Sequence, residues 1–165
     1  MAEIFPQLTH KKLGDCQAGE LVRLSWASDQ QHYVLIAQDD GAQYLLFLST
    51  IGESRAPGLM ALKRPDKSAI SYGTAYRIEV DQGADYVDLT GTRLFEKSGT
   101  LRISDDHYVM RVNGVSGSQL YGSFYVRLDS GELVPEPAGN VPIFSKWSLM
   151  LPKGGERFET LCTIE

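Results

Sequence analysis

At 165 residues, with 42% hydrophobic content, eight Tyr and six Phe, the chain has enough length and apolar matter for one substantial core, which excludes a disordered polypeptide. A net charge of −5 lacks the basic footprint of a protein built around nucleic acid. No apolar run approaches the ~20 residues of a membrane helix, and the opening MAEIFPQLTHKK has no basic-then-apolar signal pattern; the expectation is a cytoplasmic protein with no membrane partner.

Residues 1–19 read as loop, with Gly14 and Gly19 flanking KLGDCQAGE before the first strong strand. Residues 20–26 alternate weakly, with Val22, Leu24 and Trp26 on one face, which suits a strand nearer a sheet edge. Residues 31–38 and 43–49 form the clearest hairpin. Asp40 and Gly41 supply the positive φ angles of a two-residue type I′ turn. Centring the turn there pairs Tyr33 with Leu48, Val34 with Phe47, Leu35 with Leu46 and Ile36 with Leu45. Both faces of that hairpin are apolar, so it should lie between two layers or in a barrel wall.

Next, GLMALKR (58–64) fits a short strand or a single helical turn, and RPDKSAISYG (64–73) is the most linker-like stretch. Strands are then expected at 75–80, 85–91, 92–95, 100–104, 107–113, 120–128, 133–134, 143–151 and 157–164, separated by DQGA, EKSG, SDD, DSGE, PEPAGNVP and PKGGE. No apolar set recurs at i, i+3, i+4, i+7 over three turns, so helices are not expected. The class is all-β: an antiparallel, meander-rich sandwich or barrel in one domain over residues 1–165. Any internal boundary, and with it a division into two small β subdomains, falls near 64–74. A weak echo between QHYVLIAQ (31–38) and DHYVMRVN (106–113) is too short to establish a duplicated unit.

Few residues offer chemistry. Ser104, Asp105, Asp106 and His107 form the densest polar cluster, in which the carboxylates beside the histidine could bind a metal or an Asp could orient an imidazole base. Ser-Asp-Asp is equally a hairpin turn, and adjacent strand residues point to opposite faces. The three histidines, His10, His32 and His107, never fall at i, i+2 or i, i+4, so no metal site is expected, and no cofactor fingerprint appears. GVSGS (114–118) has the wrong spacing for a nucleophile elbow. PKGGER (152–157) reads as a turn, and Lys63, Arg64 and Lys67 read as a solvated basic patch. Cys16 and Cys162 are expected as free thiols, Cys162 buried on a strand face with Phe158, Thr160 and Ile164, and Cys16 made less reactive by Asp15.

The strongest surface candidate is one side of LYGSFYVRL (120–128). Leu120, Phe124, Val126 and Leu128 should face the core, leaving Tyr121, Ser123, Tyr125 and Arg127 together on the other side, with residue types enriched at interface hot spots. The expected function is therefore a non-enzymatic β domain working through a protein partner or self-association. The alternative is a β-barrel that binds a small molecule as carrier, sensor or enzyme, lined by tyrosines and Trp26 or Trp147. Single-stranded nucleic-acid binding needs basic residues beside stacked aromatics and fits the acidic balance least.

Overall fold

The computed structural model of the chain describes residues 7–26, 30–51, 56–81, 97–115, 118–139 and 141–165. These form strands β1 (Thr9–Lys12), β2 (Leu21–Trp26), β3 (Gln30–Asp39), β4 (Ala42–Thr50), β5 (Gly58–Ala61), β6 (Ser68–Gly73), β7 (Arg77–Val80), β8 (Leu101–Ser104), β9 (His107–Gly114), β10 (Ser123–Arg127), β11 (Leu133–Val134), β12 (Ile143–Phe144), β13 (Trp147–Pro152) and β14 (Phe158–Ile164). A 3-10 turn at Leu13–Asp15 separates the first two strands, and no α-helix occurs among the described residues. The expected strands at 85–91 and 92–95, and Ser116 of GVSGS, lie outside the described residues.

The β3–β4 hairpin forms as its turn residues dictate. Asp40 and Gly41 have φ of 44° and 81°, the left-handed pair that a type I′ turn requires, and Asp39 pairs with Ala42 across it. Val34 faces Phe47, Leu35 faces Leu46 and Ile36 faces Leu45, as expected. One step further the register slips. A bulge places Tyr33 opposite Ser49 instead of Leu48, and His32 opposite Thr50. Turn chemistry sets the register locally, and it cannot foresee an extra residue inserted eight positions away.

Around this hairpin an eleven-stranded sheet runs β1-β6-β2-β3-β4-β5-β9-β10-β11, with β8 on the free part of β9 and β12 beside β8. Its one strand-to-strand parallel pairing among the described residues, β5 with β9 at Gly58–Leu59, departs from an all-antiparallel meander. The linker-like 64–73 segment holds β6, which lies between β1 and β2. Consequently β2 is an interior strand, not an edge. The turn at 64–67 docks on the 3-10 turn, where Gly14 donates to the Pro65 carbonyl at 2.9 Å and Leu13 to that of Lys67 at 2.9 Å. The far end of the sheet curls back: Gln38 bridges to Glu132 in parallel, and its amide donates to the Gly131 carbonyl at 2.8 Å.

A second, antiparallel sheet, β14-β13-β7, packs on the inner face of the first, which gives a sandwich-like arrangement. Trp147, Leu149, Leu151 and Ile164 from the small sheet bury against Leu21, Leu35, Leu46, Leu101, Met110 and Val126 of the large one. Trp147 is wholly buried, its indole N–H donating to the Gly99 carbonyl at 2.7 Å. On the outer face of β2–β4 a smaller core joins Val22, Leu24, Val34, Ile36 and Leu45 to Leu13 and Cys16 of the 3-10 turn and its flank. The hairpin is thus apolar on both faces because both are covered. A bulge between Leu149 and Met150 sets Cys162 opposite Leu149 but Thr160 opposite Met150, so Cys162 does not share a face with Thr160 and Phe158. Both cysteines are free thiols.

Candidate functional site

The expected Tyr–Ser–Tyr–Arg face divides in two. Strand β10 begins at Ser123, because Gly122 takes φ of 98° and breaks the extended run. The core side is as read from the alternation: Val126 and Leu128 are buried, and Leu120 and Phe124 pack against the main core. On the opposite side Ser123 pairs with Asn113, Tyr125 with Arg111 and Arg127 with Val109. Tyr121 stands beyond the glycine, outside the strand, and is 89% exposed.

Each of the three strand residues is engaged within the fold. The Ser123 hydroxyl accepts from Arg111 Nη2 at 2.7 Å and donates to Asn113 Oδ1 at 3.2 Å. The Arg102 guanidinium lies over the Tyr125 ring, 5.2 Å from its centroid. Arg102 is itself buried and holds the Pro-rich connection after β11, through Glu136 Oε1 at 3.1 Å and the Pro137 carbonyl at 3.2 Å. Arg127 reaches Glu132 Oε2 at 3.6 Å. Tyr125 and Arg127 are therefore half-buried supports.

Tyr121 instead stands on the rim of an open hollow of about 600 Å³, lined with Asn113, Gln119 and Ser123. Gly114 makes that shape possible. A Cβ there would meet the Leu120 carbonyl oxygen at 2.2 Å, so only glycine lets the 118–122 segment fold back against the end of β9.

Asp105 and Asp106 form a two-residue turn between β8 and β9, with φ of 47° and 64° and Ser104 paired with His107. They share the turn that their residue types favour. His107 turns away to Asp129 of the β10–β11 turn, with Nδ1 2.7 Å from Oδ2. Among the described residues no three His, Cys, Asp or Glu side chains gather as a metal site, and no helix is long and apolar enough to cross a membrane.

One polar constellation escaped the sequence reading. Glu20, 3% exposed, accepts from Lys11 Nζ at 2.7 Å, from the Ser71 hydroxyl and from the Gln17 amide at 2.8 Å. Burial pushes its carboxyl pKa up, but the Lys11 and Ser71 hydrogen bonds and the Gln17 amide outweigh it, and the net shift is downward. With three donors on its two oxygens, Glu20 ties β1, β6 and the loop before β2 together, and is a structural tie rather than a reactive group. Gln17 and Lys11 lie 3 and 9 residues from Glu20, but the Ser71 hydroxyl that completes the set comes from 51 residues away. Both cysteines are held in the protonated thiol form. The Cys16 pKa is pushed up to about 11 by burial, then by Glu20, with Asp15 contributing least, and that of Cys162 to about 11 by burial.

No family model, curated protein or solved structure matches the chain.

Proposed function

We propose that the chain is a non-enzymatic recognition domain that takes a protein partner, or a second copy of itself, through the rim around Tyr121 and Ser123. The observation that carries this reading is the 89% exposure of Tyr121, the most exposed large hydrophobic side chain among the described residues. Tyrosine presents a large amphipathic surface with only two side-chain torsions to freeze, and is enriched where binding energy concentrates. Asn113, Gln119 and Ser123 add amide and hydroxyl groups beside it, the adaptable polar contacts that accompany such anchors. In this reading the curled sheet acts as an incomplete barrel wall, and the setting is cytoplasmic.

The test is Tyr121→Ser in the full chain, with native mass spectrometry on protein purified gently from its own cells. Wild type should appear in complexes whose masses are sums of polypeptides, and the variant should lose them at least about tenfold more readily. Thermal stability should move by no more than about 2 °C, as befits an exposed position. Complexes unchanged by the substitution, or a wild-type chain that remains a bare monomer, would overturn the reading.

A further inference from the structure

The bulge in β4 has a consequence on the outer face of the sheet. By pairing Thr50 with His32, it turns Thr50 to the side that already carries His32 and Phe47. There His32 Nδ1 lies 3.0 Å from Thr50 Oγ1, with the two residues 7% and 6% exposed. The Phe47 ring meets the imidazole edge-on, centroids 5.3 Å apart at 89°, so ring plane and hydrogen bond together hold His32 in one orientation. A buried polar pair costs free energy that an aliphatic pair would not, and bulges concentrate where a side chain must be re-aimed.

His32 and Thr50 line a half-enclosed recess of about 180 Å³ whose other walls include Phe47, Met60 and Val115. Val115 closes the recess against β5 because position 58 is glycine: a Cβ on Gly58 would meet Val115 Cγ2 at 2.6 Å. Among the described residues no Asp, Glu, Lys or Arg lines it. An apolar cavity of about 150 Å³ accommodates benzene. We propose that this recess binds a compact, neutral, single-ring molecule carrying one hydroxyl or equivalent group, its ring against Phe47, Met60 and Val115 and its polar group at the His32–Thr50 pair. Met60 suits such a wall, since its unbranched, polarisable side chain adapts to a planar guest.

Phenol and benzene are the probes, titrated into the full chain and followed through the imidazole resonances. Only three histidines are present, so these are separable. Phenol should shift the His32 signals saturably while leaving those of His10 and His107 in place. Thr50→Val should weaken phenol about 2- to 10-fold, the worth of one neutral hydrogen bond, and leave benzene unchanged. Met60→Trp should fill the recess and weaken both more than tenfold. Tyr121→Ser should leave phenol binding intact, which separates this site from the proposed partner surface. If a variant fails to fold, the wild-type titration decides alone. Absence of saturable His32 shifts up to the solubility of phenol, or phenol binding indifferent to a folded Met60→Trp, would overturn the proposal.

Discussion

Replacing Glu20 by Gln should destabilise the chain by about 3 kcal/mol, and the structure supplies the terms. Oε1 accepts from Lys11 and Ser71, and Oε2 accepts from the Gln17 amide. A glutamine keeps one oxygen. If the oxygen stays where Lys11 and Ser71 converge, the Gln17 N–H meets an NH₂ group; in the other orientation the ammonium does. One donor is left facing a donor either way, and a hydrogen bond to a charged group contributes about 1.5–3 kcal/mol. The side chain of Glu20 is only 4% exposed, so water does not replace the missing partner, although Lys11 at 32% recovers part of its hydration. For a domain of this size about 3 kcal/mol corresponds to roughly 6–12 °C in Tm.

The effect should also depend on pH in a defined direction. The Glu20 carboxyl pKa in the folded chain lies below its unfolded value of about 4.3. Its contribution is fully present above about pH 4.3 and is lost as pH falls from there through the folded value. The glutamine variant has no such group, so the gap between the two proteins should narrow across that acid window. Urea titrations at pH 7 and at steps below pH 4.5 measure it. A difference under about 1 kcal/mol at pH 7, or one that stays constant into acid, would refute the argument that Glu20 is held ionised by three donors.

Gly131→Ala and Gly41→Ala form a controlled pair, with φ of 73° and 81°. Gly41 has nothing within 4 Å of a built Cβ, whereas at Gly131 it would meet the Gly19 nitrogen at 2.3 Å and the Ile36 oxygen at 2.4 Å; the expected costs are about 1–2 kcal/mol and more than about 3 kcal/mol. Hydrogen exchange should show early loss of Gln38 amide protection only in the Gly131 variant. Trp147→Phe should cost about 2–4 kcal/mol through the lost bond to Gly99 and the space left behind, read as a lower urea midpoint with unchanged slope. Iodoacetamide should label Cys16 and Cys162 slowly at pH 7.5 in the folded chain, with rates still climbing beyond pH 9, because both thiol pKa values sit near 11. A plateau near pH 8.5 would contradict these raised pKa values.

The candidate site was legible only in its local parts. Alternation alone separated Val126 and Leu128 from Ser123, Tyr125 and Arg127, since side-chain direction along one strand needs no partner. It could not place Tyr121, which depends on the positive φ of Gly122, nor the capture of Tyr125 by Arg102, a residue of another strand. Asp105 and Asp106 formed the turn that their type favours, while the Asp129 partner of His107 comes from 22 residues away.

By itself the sequence determined the all-β class, the type I′ turn at Asp40 and Gly41, the double-faced burial of the central hairpin and the inward side of β10. These follow from turn residues and two-residue periodicity, which act over a few bonds. Only the tertiary structure decided that the linker-like segment is a strand between β1 and β2, that β5 pairs in parallel with β9, and that Glu20 gathers donors from three parts of the chain. It alone decided the bulge that sets His32 against Thr50. Each of these is a choice of partner between segments far apart in the chain. It is made by the free energy of the whole packed assembly, to which no local pattern of residues is a guide.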